Sequence, residues 1–121
     1  MAITHIVLFQ FKADASAEDV KAIYPRMLAL KDGCLHPTSQ KPYIKSLTGG
    51  TNNSPEGMNI MPLADGKPKN GLTHAFVVEF DTPQDRDYYV RDDPVHQGFV
   101  KSAGPIIEKA IVVDYAAGVF A

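Results

Sequence analysis

Ile3-Thr4-His5-Ile6-Val7-Leu8-Phe9-Gln10-Phe11 decides the architecture, because both faces of the strand it predicts are largely apolar. Strand alternation sets Ile3, His5, Val7, Phe9 and Phe11 on one side and Thr4, Ile6, Leu8 and Gln10 on the other, in a segment rich in β-formers. A strand with one wet face would alternate apolar with polar residues. This one asks for cover on both sides, and a second subunit is one way to supply it.

Working outward, Ser16 followed by Glu18 and Asp19 opens a helix whose apolar positions, Val20, Ile23, Tyr24, Met27, Leu28 and Leu30, fall at helical spacing. Gly33 closes it, and Pro25 is expected to kink it or force local unwinding. A second strand is predicted from about Lys41 to Thr48, where Pro42 fits a strand start or an edge. The segment from Gly49 to Gly71 follows, rich in Gly, Pro and Asn, and the Gly49-Gly50 pair marks a turn. Loops this long are uncommon inside compact domains. Met58, Ile60, Met61 and Leu63 argue that part of it packs on something apolar.

Leu72 to Phe80 is the third strand, with Leu72, His74, Phe76, Val78 and Phe80 on one face. A short helix from about Pro83 to Val90 carries Asp85-Arg86-Asp87, expected to be a solvated face. Asp93-Pro94 then supplies an N-cap and a first-turn proline for another helix. Gly104-Pro105 interrupts it, Ala110 to Tyr115 forms the last strand, and the tail ending in Val119-Phe120 is expected to dock on its own or a neighbouring subunit.

The order β-α-β-β-α-β is the ferredoxin-like α+β arrangement, with both helical connections on one face of a four-stranded antiparallel sheet. The opposite face is left with Ile6, Leu8, Ala75, Val77, Ile111 and Val113. A monomer would leave that patch wet; pairing it with the same face of a second copy gives a twofold homodimer closed into a barrel.

Composition narrows the function classes. With 121 residues, 45% apolar and 21% charged, the chain is one ordinary globular domain. A formal charge of −2 without a basic cluster argues against nucleic acid and membrane as partners. No signal-peptide pattern and no bilayer-length apolar run is present, so a cytoplasmic protein is expected. The single cysteine, Cys34, precludes an intramolecular disulfide and a Cys-rich metal site and is expected to be a packing residue. No metal is expected: His5 and His74 have no carboxylate or thiol at a ligand spacing, and a shared hydrogen-bond network inside the core is expected for them instead. His36 is expected to be solvated. Tyr24, Tyr43, Tyr88 and Tyr89 are expected to pack their rings and leave their hydroxyls wet.

His96 is the candidate for chemistry. It lies in the first turn of the Pro94 helix on the same stripe as Phe99, Val100, Ala103 and Ile107, so its imidazole is aimed at an apolar interior. Burial and the helix N-terminus disfavour imidazolium, whereas Asp93 favours it. A neutral histidine beside a hydrophobic hollow can exchange protons with a ligand. The bland alternative is a ring bonded to a backbone carbonyl or to Tyr89.

Thr4-His5-Ile6-Val7-Leu8-Phe9-Gln10-Phe11-Lys12, Thr73-His74-Ala75-Phe76, Asp93-Pro94-Val95-His96-Gln97-Gly98-Phe99 and Val113-Asp114-Tyr115 together resemble the stress-responsive dimeric α/β-barrel (Dabb) family over nearly the whole chain. The long loop and Ser54-Pro55-Glu56-Gly57 resemble its fungal branch. The resemblance implies a homodimer of ferredoxin-like subunits. One plant relative, olivetolic acid cyclase, closes a linear polyketide by aldol condensation without a cofactor, using a tyrosine and a histidine. By that resemblance His96 matches the catalytic histidine. Val7, Phe9, Ile23, Tyr24, Phe76, Ala110 and Val112 match pocket-lining positions, as does His5. Tyr89 aligns with the tyrosine only through a one-residue insertion, and Met27 stands where the cyclase has a second pocket tyrosine.

Two functions remain open. One is a cofactor-free enzyme with His96 as general base, helped by Tyr89 or His5, on an aromatic or polyketide-like molecule held by Phe9, Phe76 and Phe99. The other is a non-catalytic stress protein, structural or holding a hydrophobic ligand. Kinship with cofactor-free monooxygenases rests on fold analogy alone.

Overall fold

A computed structural model describes residues 1–55 and 71–120. Met58, Ile60, Met61, Leu63 and the Glu56-Gly57 part of Ser54-Pro55-Glu56-Gly57 lie outside the described residues.

Ile3–Phe11 forms the first strand, β1. The others are β2 (Ile44–Thr51), β3 (His74–Phe80) and β4 (Ile107–Tyr115). The sheet runs β2-β3-β1-β4 with every neighbour antiparallel, so β1 is central, as its two apolar faces demand. Among the described residues, three helices complete the ferredoxin-like α+β fold: α1 (Ala17–Gly33), α2 (Pro83–Arg91) and α3 (Pro94–Ala103), the last running into a 3-10 turn at Gly104–Ile106.

Each helix starts where a side-chain oxygen can take the place of a missing backbone carbonyl. Ser16 Oγ accepts from the Asp19 amide at 3.0 Å and Thr82 Oγ1 from the Asp85 amide at 3.1 Å. Asp93 Oδ1 accepts from both Val95 and His96. α1 stays helical through Pro25, without the local unwinding that was one of the two expected outcomes. Pro25 lies on the exposed side, where water can satisfy the carbonyl that its ring leaves without a partner. The core joins Ile23, Met27 and Leu30 of α1 to Phe76, Val78 and Phe80 of β3.

β2 is displaced relative to the sequence prediction. It starts after Pro42, which makes only an isolated bridge with Leu35, and continues through Gly49-Gly50 to Thr51. The glycine pair is therefore strand, not turn. Gly49 faces Phe76 across the ladder, and a Cβ built there would meet Phe76 Cδ1 at 2.3 Å and the Ala75 carbonyl oxygen at 2.7 Å. The Phe76 ring thus occupies the space above the β2 backbone, which only glycine permits. Gly49→Ala is expected to cost about 1–3 kcal/mol through overpacking, seen as a lower urea midpoint with an unchanged slope. Gly50, where a Cβ meets nothing within 4 Å, is the control, and equal effects at the two positions would refute the steric account.

On the uncovered face, Ile6 stands opposite Val77 on one side and Val113 on the other, and Leu8 stands opposite Ala75 and Ile111. These six residues form one patch, with Val113 51% exposed. The tail does not dock on its own chain: Val119 turns back to bond the Ala116 carbonyl, and Phe120 is 98% exposed.

Candidate active site

β4 is an edge strand, and its inward residues lack the cover that α1 gives β2 and β3. Ala110 and Val112 therefore remain open on the helix side, Val112 to 55%. The space above them is a cavity of about 820 Å³, roofed by α2 and α3 and floored by β1 and β4. Val7, Phe9, Met27, Phe99, Ala110 and Val112 line it. Val90, Val100 and Ile107 add to its apolar wall.

Ile23, Tyr24 and Phe76 do not line it. Phe76 belongs to β3, on the other side of β1 from β4, and is fully buried against Phe9 and Tyr24 at ring distances of 5.8 and 5.9 Å. Ile23 is likewise fully buried in the core, and Tyr24 is 39% exposed on α1. Facing the helices is a property of the whole inner face, whereas the hollow occupies only the β1–β4 half of it.

His96 reaches this cavity from the first turn of α3. Its Nδ1 lies 2.7 Å from the Tyr89 carbonyl oxygen. A carbonyl only accepts, so Nδ1 carries the proton and the neutral ring presents the Nε2 lone pair. Nε2 has no hydrogen-bond partner among the described residues. The imidazole also stacks on the Tyr89 ring, centroids 3.8 Å apart and planes at 22°. Burial lowers the His96 pKa most, the Tyr89 carbonyl opposes it, His5 lowers it further and Asp93 opposes. The net direction is down, toward a neutral ring poised to accept a proton.

Tyr89 contributes its ring and its carbonyl. The residue is fully buried and, among the described residues, its hydroxyl has no hydrogen-bond partner. Burial, then Cys34 and Asp93, push the phenol pKa up, so it holds its proton. His5 meets the same ring edge-on at 5.8 Å. Its Nδ1 lies 2.7 Å from Asp114 Oδ1, its direct neighbour across the β1–β4 ladder. Arg86 NH1 donates to Asp114 Oδ2 at 2.9 Å and Arg86 Nε to Asp87 at 2.7 Å. The carboxylate thereby orients the His5 ring and points its other nitrogen away from the pair.

This arrangement corrects several expectations. His5 and His74 share no network: His74 sits at the far end of the ladder opposite Phe9, bonded to Thr73 Oγ1 and edge-on to Phe11. The Asp85-Arg86-Asp87 run is not simply solvated, since Arg86 is only 24% exposed and lines the cavity. Tyr43 does not keep a wet hydroxyl; it donates to Asp93 Oδ2 at 2.5 Å in the interior. Cys34 is a packing residue as expected, fully buried, its thiol pushed up to about 12 by burial and by Asp93. Half-exposed His36 accepts from the amides of Thr38 and Ser39.

The two lowered histidines carry a stability consequence. Burial depresses both His96 and His74 in the fold, while the unfolded chain protonates them near the ordinary value of about 6.5. The unfolded state then binds more protons, so stability falls as pH drops below about 6.5 and levels off once the folded rings protonate. Urea midpoints between pH 7.5 and 5 are expected to fall less steeply in His96→Asn and in His74→Asn than in the parent. Parallel slopes in all three proteins would contradict this.

The stress-responsive A/B barrel domain model matches residues 3–117. The chain belongs to that family. No curated protein sequence matches it. Among solved structures, a hydroxynitrile lyase from Passiflora edulis superposes with a TM-score of 0.73 at 24% identity, covering 99% of this chain and 97% of its own. A protein from Arabidopsis thaliana gives 0.73 at 21%, with 98% of each chain covered. A dimeric protein of unknown function and ferredoxin-like fold from Bacteroides fragilis gives 0.62 at 22%, with 94% of each covered.

Within this A/B barrel domain, Asp114 and Arg86 are the site residues that sequence reasoning missed. Alternation from Ala110 and Val112 sets Asp114 on the cavity face, but its pairing with His5 follows only from the strand register. Arg86 gave no signal beyond a charge run. Among the described residues no group of three or more His, Cys, Asp or Glu side chains is placed to hold a metal ion, and no helix is long and apolar enough to cross a membrane.

Proposed function

We propose that this A/B barrel domain is a homodimeric, cofactor-independent proton-transfer enzyme of the lyase or cyclase type. Its substrate is an aromatic or polyketide-like small molecule, and His96 is the general base. The observation that carries the reading is the His96 ring, fixed in one tautomer by the Tyr89 carbonyl and lining an apolar cavity of about 820 Å³. That volume lies within the usual range for small-molecule sites. Tyr89 acts by holding the ring, and His5, oriented by Asp114, is the second proton-handling group. The base that takes the substrate's proton and the second proton-handling group are both side chains of this chain, which is why no cofactor is invoked. The Passiflora neighbour is a lyase by name, so the same architecture accommodates that class of chemistry. The Gly- and Pro-rich sequence after Gly49 and the segment Ser54-Pro55-Glu56-Gly57 favour a fungal-type member.

Homodimer formation is supported by the six-residue apolar patch on the uncovered sheet face and by the dimeric state named for the Bacteroides fragilis neighbour. The half-open apolar wall at Val100 and Val112 also favours a second reading, in which the dimer holds a hydrophobic metabolite without converting it.

The test is a screen of aromatic and polyketide-like compounds, followed by the His96 imidazole and Val112 methyl resonances. A ligand of this site shifts both signals, and turnover then separates enzyme from carrier. Compounds that bind while leaving both signals in place would end the proposal.

A further inference from the structure

Asp93 is a carboxylate at 1% exposure, and it ties three elements together. Its amide donates to the Tyr88 carbonyl at the end of α2, at 2.9 Å. Its Oδ1 accepts from the amides of Val95 and His96 at 2.9 and 3.3 Å, which fixes the first turn of α3. Its Oδ2 accepts from the Tyr43 hydroxyl at 2.5 Å. Tyr43 comes from the segment leading into β2 and is absent from the cavity lining. Its ring is held by Phe80 at 6.2 Å and Tyr88 at 5.7 Å.

We propose that Tyr43 is a positioning residue for His96, acting through Asp93: its hydroxyl holds the carboxylate that caps α3 and sets the charge beside the imidazole. This rests on the reading of His96 as the proton acceptor. Asp93 has two effects on that ring. Through Oδ1 it fixes the backbone from which the imidazole reaches the Tyr89 carbonyl, and through its charge it favours imidazolium. A hydroxyl donating to Oδ2 offsets part of that charge and locks the carboxylate rotamer, leaving Oδ1 aimed at the helix. The arrangement restrains the carboxylate while keeping its capping bonds.

Other titratable groups line the cavity that His96 enters or meet its turn. They are His5 from β1, Asp114 from β4, Arg86, Asp87, Tyr89 and Arg91 from α2, and Cys34 from the end of α1. Both substitutions leave these groups in place, and the two that sense Asp93, Cys34 and Tyr89, are held protonated first of all by burial, so opposite shifts from the two changes identify the Tyr43–Asp93 pair as the source.

The experiment is an NMR titration of the His96 imidazole in the full-length protein, its Tyr43→Phe variant and its Asp93→Asn variant, with thermal melts alongside. It needs no substrate, so it separates this coupling from the catalytic reading. Tyr43→Phe keeps the ring packing and removes the offsetting donor, so the His96 midpoint is expected to rise. Asp93→Asn keeps an oxygen for the two amides and removes the charge, so the midpoint is expected to fall. Unchanged midpoints in folded variants, or shifts of the same sign in both, would overturn the proposal. Should Asp93→Asn fail to fold, Tyr43→Phe decides alone: a rise supports it, and no change or a fall refutes it.

Discussion

Exchanging His96, the proposed general base, for asparagine is expected to lower the proposed turnover by about 10²–10⁴-fold, the usual contribution of one positioned acid–base group, while leaving the fold in place. Asparagine suits the test because its amide nitrogen overlies Nδ1 and can still donate to the Tyr89 carbonyl, 2.7 Å from the imidazole in the parent. What disappears is Nε2, the ring nitrogen left without a hydrogen bond among the described residues. The loss corresponds to about 3–5 kcal/mol of barrier. It is read from kcat, with KM and the melting temperature as controls. The pH profile gives an independent check. The proposed base would work as neutral imidazole, and burial lowers the His96 pKa. The parent is therefore expected to stay active somewhat below the pH at which an exposed histidine protonates, and to lose activity as pH falls through the depressed value. Full turnover in His96→Asn would remove this residue from the chemistry and leave His5, oriented by Asp114, as the other imidazole in the cavity.

Much of this fold was legible because local signals and burial agree. The central place of β1 follows from its two apolar faces, and the starts of α1 and α3 follow from the oxygens of Ser16 and Asp93. Legibility ends where a distant partner overrides a local preference. Gly49-Gly50 carries turn chemistry, yet the Phe76 ring requires bare backbone there and the ladder continues past it. Glu108 and Lys109 look unlike strand residues, yet both are exposed on the edge strand β4. The site divides in the same way. His96, Val7, Phe9 and Val112 were legible from helix and strand periodicity together with the family resemblance. The Asp114 partnership with His5 is set by register over a sequence separation of 109, and no periodicity encodes it. The Tyr43 bond to Asp93 spans 50 residues and was invisible for the same reason.

Phe76 distinguishes a pocket wall from a core, and replacing it by alanine is expected to destabilise the protein by about 3–5 kcal/mol. At this chain length that corresponds to a fall of about 10–25 °C in melting temperature, compared at equal protein concentration because self-association would shift both values. The ring is fully buried, touches Phe9 and Tyr24, and has Gly49 beneath it, so its removal leaves a void among these neighbours. Val112→Ala, on the open wall of the cavity at 55% exposure, is expected to change ligand affinity with little loss of stability. If Phe76 instead lined a ligand site, the two substitutions would behave alike. Combining Phe76→Ala with Gly49→Ala sharpens the argument. The cost of the added methyl arises partly from the ring at 2.3 Å and partly from the Ala75 carbonyl at 2.7 Å. Without the ring only the backbone clash remains, so the Gly49→Ala penalty is expected to shrink without vanishing, giving a measurable coupling in the double-mutant cycle. Strict additivity would mean that the glycine is not required by Phe76, and the packing account of how β2 passes beneath that ring would be wrong.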